Sequence, residues 1–165
     1  MTNRQAKPNS KKTEAALVAI CAAALLIASS CGKELVYNQY HRTGHAWEKD
    51  AAHAFAFTID DETAAYDLIL EVRNNGLYPY SNLWLFCDEA SPDGRILSDT
   101  IDCELADNFG KWNGKGVSIY HSSFPLRTGY KFPRKGEYTI SVRQGMRRDT
   151  LKGITEIGLR IEKAR

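Results

Sequence analysis

The chain has 165 residues, enough for one domain, and at 43% hydrophobic and 10% aromatic it can bury a real core, which excludes general disorder. Its formal charge of +2 comes from 22 basic and 20 acidic side chains, but Arg4, Lys7, Lys11 and Lys12 stand against Glu14 alone in the first thirty residues. Without that segment 18 basic and 19 acidic groups remain, net −1, and nothing globally basic is left for nucleic acid.

The basic start is followed by an apolar run, Ala15 to Ala28. This is the layout of a secretory signal. As a helix the run would rise about 21 Å, short of the roughly 30 Å hydrocarbon core of a bilayer. It ends in Ala28-Ser29-Ser30-Cys31, which resembles a bacterial lipobox with Ala28 where Leu is usual. The expected division is a lipoprotein signal peptide over 1–30, a lipidated tether and first short strand over 31–47, and a β-sandwich domain over 48–165. Lipidated Cys31 would hold the protein to a membrane, since two or more acyl chains anchor where one does not. Gly32, rather than Asp, as second mature residue favours the outer membrane, and the single acid in Gly32-Lys33-Glu34 favours its periplasmic face.

From Lys33 onward the pattern is period two. Leu35, Tyr37 and Tyr40 mark a first strand. Phe55, Phe57 and Ile59 share one face, and Tyr66, Leu68, Leu70 and Val72 another. Leu83-Trp84-Leu85-Phe86 is apolar on both faces, as in a central strand, which predicts Trp84 in the core. Alternation continues through Ile96 to Leu105, Val117 to Tyr120, Tyr138-Ile140-Val142 and Ile157-Leu159-Ile161. Turn signals fall between the runs at Asp60-Asp61-Glu62, Asn74-Asn75-Gly76, Ser91-Pro92-Asp93-Gly94, Asn113-Gly114-Lys115-Gly116 and Arg134-Lys135-Gly136. One helical turn is expected at Ala106 to Trp112 or at Arg147 to Lys152. The whole reads as an all-β, antiparallel, jelly-roll-like sandwich. Phe55, Phe57, Leu68, Leu70, Val72, Leu83, Leu85, Ile140, Val142, Leu159 and Ile161 are its expected core.

Cys87 and Cys103 would not face each other across a hairpin turning at Ser91–Gly94, which pairs Cys87 with about Ser98, so two buried thiols are favoured over a disulfide. His41, His45 and His53 lie on extended chain, where residues four apart are about 13 Å distant, and surface or locally bonded histidines are favoured over a metal set. Asp60-Asp61-Glu62 lacks a spaced calcium loop. His121, Ser122 and Ser123 offer hydrolase residue types without a Gly-x-Ser-x-Gly elbow, and no nucleotide fingerprint is present. No cofactor, metal ligand or catalytic residue is therefore expected.

Two features remain. Gly145-Met146-Arg147-Arg148-Asp149 is the densest basic spot of the mature chain. Arg147 and Arg148 would either grip an anionic or acidic partner or pair with acids such as Asp149. Trp112 sits in a polar, glycine-flanked loop, as a contact point or as a cap folded back on the sandwich.

The stretches RNNGLYPYSNLWLF, LADNFGKWNGKG and SVRQGMRRDTLKGITEIGLRIEK, with the early Trp47-x-x-Asp50, together resemble the gliding-motility lipoprotein family GldH. That resemblance runs through nearly the whole mature chain. It implies a small all-β lipoprotein of the cell envelope, lipidated at Cys31, associated with gliding and not an enzyme. The expected role is an accessory component of a gliding-motility or related envelope assembly with protein partners. A membrane-anchored carbohydrate-binding module, reading glycan with loop aromatics, is the alternative.

Overall fold

The computed structural model describes residues 32–165. Cys31 and the signal segment lie outside the described residues. The strands are β1 (Leu35–Arg42), β2 (Trp47–Glu48), β3 (His53–Ile59), β4 (Tyr66–Asn75), β5 (Asn82–Ala90), β6 (Ile96–Glu104), β7 (Lys115–Gly116), β8 (Ile119–Tyr130), β9 (Gly136–Gln144), β10 (Thr150–Leu151) and β11 (Ile154–Lys163). All pair antiparallel, in the orders β1-β11-β4-β8-β7 and β3-β9-β5-β6, with β2 and β10 as a separate two-stranded ladder. Leaving aside the three two-residue strands, one sheet holds the first, eighth, third and sixth long strands and the other the second, seventh, fourth and fifth. That is the jelly-roll order, two Greek keys folded face to face.

Alternation builds the core. Phe55, Phe57 and Ile59 of β3 and Leu68, Leu70 and Val72 of β4 enter one core, and apart from Trp84 every residue expected inside is at most 5% exposed. Aromatic rings bridge the sheets at one end: Phe132 lies 5.8 Å from Phe57, 5.5 Å from Tyr66 and 4.6 Å from Tyr138, centroid to centroid. Arg127 of β8 reaches across to Glu89 of β5 at 3.4 Å and Asp99 of β6 at 2.7 Å. Burial pushes the Glu89 carboxyl above its ordinary range, and Arg127 opposes that shift.

Four readings need adjustment. Trp84 is not core: β5 alternates strictly, so Leu83 and Leu85 point inward while Trp84 and Phe86 stay 41% and 37% exposed on the outer face. Neither proposed helical turn forms. Ala106 and Trp112 instead pair as an isolated bridge about a turn in which Asp107 accepts the Phe109 and Lys111 N–H groups, and Thr150–Leu151 is β10. Cys87 faces Asp99, one residue from the expected Ser98. Both thiols are free and buried, and desolvation pushes Cys87 up to about 12. Leu35–Arg42, expected as tether and short strand, is an eight-residue strand paired along its length with β11.

The register defines two ends of the sandwich. The chain enters at Leu35, beside Glu162, and the Tyr66–Tyr130, Ile59–Gly136 and Ala90–Ile96 pairs lie at that end. At the opposite, distal end lie Arg42–Glu156, Asn75–Ile119, Asn82–Glu104 and Leu85–Gln144. The connections 76–81, 105–118 and 145–153 all belong to the distal end.

Candidate functional site

The two arginines singled out from sequence line a distal groove of about 460 Å³ together with Tyr80, Asn82, Trp84 and Met146. Its floor is the outer face of β5. Gly145 lets the following loop lie on that face, because a Cβ there would come within 3.1 Å of the Phe86 ring and 3.3 Å of Trp84 Cβ. The loop is held from below by Gln144, which is 1% exposed. Its Oε1 accepts the Met146 N–H at 2.9 Å and its Nε2 donates to the Arg148 carbonyl at 2.9 Å. A buried amide satisfied in this way fixes the backbone that carries both arginines.

The Arg148 Nε donates to Tyr80 Oη at 3.3 Å. Neither Arg147 nor Arg148 is ion-paired with Asp149 or with any other acid among the described residues. Both are exposed. Beyond Arg148 and Tyr80 a second groove of about 540 Å³ continues past Leu77, Pro79 and Lys152. The 76–81 segment that forms its wall is pinned by Gly153, at φ +87°, where a Cβ would fall 2.1 Å from the Tyr78 nitrogen. Only glycine tolerates both that dihedral and that approach.

Trp112 lies at the same end but lines neither groove. The Ser81 carbonyl accepts from the Leu105 and Ala106 N–H groups, so the 76–81 segment runs between the Trp112 turn and the arginine loop. The Trp112 ring is half-buried, packs against the core, and lies tilted by 30° against Tyr120 at 5.7 Å. This packing is that of the cap reading rather than of a free contact point.

The outer face of the five-stranded sheet carries a different cluster. Glu71, only 1% exposed, accepts from Arg160 Nε at 2.7 Å, His121 Nε2 at 2.6 Å and Ser123 Oγ at 2.6 Å. Ser123 and His121 both spend their polar atoms on the carboxylate, and Ser122 points to the other face, so no hydroxyl is hydrogen-bonded to an imidazole base as a hydrolase requires. Among the described residues no group of three or more His, Cys, Asp or Glu is placed to hold a metal. His41 does find a histidine neighbour, but it is His53, at 5.9 Å, rather than His45. Burial pulls the His53 imidazole below its ordinary range.

Sequence reasoning identified Arg147 and Arg148 beside Met146, counted Tyr80 only among the aromatics of the glycan alternative, placed Trp84 in the core and missed Gln144. The Trp84 signal was present: in Leu83-Trp84-Leu85-Phe86-Cys87, period two continues if the aromatics are assigned to the outer face.

The comparisons place the chain among known proteins. The gliding motility lipoprotein GldH homolog of Christiangramia forsetii is 36% identical over 148 residues, covering 85% of this chain and 91% of that protein. The gliding motility lipoprotein GldH of Flavobacterium johnsoniae is 33% identical over 147 residues, covering 84% and 91%. Among solved structures, the enzymatically active domain of bacteriophage CBA120 tailspike protein 4 aligns with 81% of this chain and 18% of its own at TM-score 0.31 and 9% identity, too distant for any argument. The family model described as GldH lipoprotein matches residues 35–161, from the first strand of the sandwich to the last, and the chain belongs to that family.

Proposed function

We propose that the chain is a non-enzymatic lipoprotein, anchored through Cys31 to the periplasmic face of the outer membrane, that serves as an accessory component of a gliding-motility or related envelope assembly. The observation that carries this reading is the separation of the two ends. The tether enters at one, and the fixed loop bearing Arg147 and Arg148 beside exposed Trp84 stands at the other. With the tether entering at Leu35, the distal loops stand at the end of the sandwich away from the anchor. Exposed aromatic and Arg side chains on a pre-set loop are what protein contacts are enriched in. Family membership supports the lipid anchor and the link to motility.

The glycan alternative fares less well at this groove. A sugar platform needs coplanar exposed rings, whereas Tyr78 is buried in the core and turns 74° from Tyr80, leaving Tyr80 and Trp84 as the rings that line the groove.

The test has two arms. Cys31→Ser should abolish incorporation of a fatty-acid analogue and leave uncleaved or mislocalised protein; equal labelling of mutant and wild type refutes the anchor. A photo-crosslinking residue in place of Trp84 should yield a protein adduct in cells. Loss of adhesion or gliding with the Cys31 variant, but with no adduct from the distal end, would refute the assembly contact proposed here.

A further inference from the structure

The groove between β5 and the arginine loop has a backbone feature that its side chains conceal. β9 stops pairing with β5 at Leu85–Gln144, after which only the Gly145 N–H reaches β5, donating to the Trp84 carbonyl at 2.7 Å. The Trp84 N–H, which a longer β9 would have engaged, meets instead the Met146 sulfur at 3.4 Å. A thioether is a weak acceptor on a flexible side chain. The strand therefore carries an exposed donor whose only protein partner is a weak one, at the mouth of a groove open to solvent. The groove lining of Tyr80, Asn82, Trp84, Met146, Arg147 and Arg148 holds no carboxylate, and the neighbouring Asp102, opposite Trp84 on β6, is engaged by Asn82 Nδ2 at 2.8 Å. Lys152 extends the positive side into the adjoining groove, where Asp149 is the one acid.

We propose that this groove binds an extended, carboxylate-bearing segment of a protein partner. A carbonyl of the segment takes the Trp84 N–H as Met146 swings aside. Its acidic side chains engage Arg147 and Arg148, and an apolar side chain packs on the Trp84 ring. This is strand addition at a local gap in a sheet, with charge setting the choice of partner. A protein segment fits better than an acidic saccharide because it brings carbonyls at strand spacing as well as carboxylates. Pre-organisation comes from Gln144, whose two hydrogen bonds hold the arginine loop before any ligand arrives, so little ordering is required on binding. The guanidinium forks suit carboxylates in bidentate geometry. The inference rests on the assembly reading above and specifies the chemistry of its partner.

The mature lipidated protein in detergent micelles is applied to an array of random nonapeptides, with an oligogalacturonate as the acidic-saccharide probe. The expected result is capture of peptides enriched in Asp and Glu and depleted in Lys and Arg. Arg147→Glu with Arg148→Glu should weaken capture at least tenfold and raise the relative capture of basic peptides, while Lys135→Glu at the opposite end should leave it unchanged. Both arginines are exposed, so the melting temperature of the double variant should match wild type. Capture without acidic enrichment, indifference to the double charge reversal, no capture at all, or retention of oligogalacturonate in preference to every peptide each overturns the proposal. The in-cell crosslink from position 84 separates this failure from that of the broader reading. A protein adduct with a negative array removes only the acidic-segment claim, whereas no adduct removes the assembly contact as well.

Discussion

Glu71→Ala removes a carboxylate that is buried on the face of the sheet where solvent would be expected. Glu71 sits in the middle of β4, opposite Ser123 on β8 and Gly158 on β11. Tyr40 of β1 closes the site by laying its ring over Gly158, where a Cβ would stand 2.6 Å from Cδ1. Arg73 in turn lies over that ring at 4.3 Å and pairs with Glu156 at 2.5 Å. Losing the carboxylate severs three contacts, to Arg160, His121 and Ser123. Breaking a fully buried ion pair costs about 3–5 kcal/mol. The partners here are less confined: the His121 and Arg160 side chains are 38% and 27% exposed, and Arg160 keeps Glu162. They can turn to water, so the lower part of that range applies, about 3 kcal/mol. For a domain of this size that is a fall of roughly 10 °C in melting temperature. Glu71→Gln keeps the shape and lets Ser123 accept from the new amide, so it should cost only about 1 kcal/mol. Urea unfolding followed by tryptophan fluorescence measures both. A Glu71→Ala loss below about 1 kcal/mol, or equal losses for the two variants, would refute a charge-assisted network as the reason for burial.

Trp112→Ala should lower stability by about 2–3 kcal/mol through lost packing on Tyr120 and the core, with peptide capture by the folded protein unchanged; an unaltered melting temperature would return Trp112 to the contact role. For Asp67, the Lys33 ammonium at 2.5 Å and the Gly129 N–H at 2.8 Å hold the carboxyl below its ordinary range. Its contribution is therefore fully present above the ordinary carboxylate value of about 4 and is lost as pH falls through the lower folded value. Asp67→Asn should destabilise at pH 7, and the gap from wild type should close on acidification, measured by denaturant unfolding across pH; a gap that widens toward low pH would reverse the sign of the argument.

Much of this architecture was legible in one dimension because a strand has period two. Wherever one face meets a core, as in Phe55-Ala56-Phe57 or Leu68-Ile69-Leu70, alternation names the buried set without knowledge of the partner strand. Gly, Asn, Asp and Pro punctuate the turns for equally local reasons. The basic and apolar start and the small residues before Cys31 are likewise read by contiguous chemistry, as was the family resemblance. Trp84 was misread because an apolar run on both faces has no internal marker of which face is wet. That depends on what covers β5, and among the described residues the loop after Gly145 lies there yet leaves Trp84 41% exposed.

The candidate site was beyond local reading for the same reason. Arg147 and Arg148 were visible as a dense basic spot, but whether Asp149 neutralises them depends on how the loop is held, and the Gln144 hydrogen bonds decide that. Tyr80 and Trp84 reach the arginines from more than sixty residues away, through a strand order that pairs the seventh long strand with the fourth. The sequence by itself determined the strands, their inward faces and the expected anchor, because those follow from neighbours along the chain. Only the tertiary structure decided the jelly-roll order, the cap role of Trp112 and the groove at the distal end, because register between distant strands is settled by the packing of the whole core.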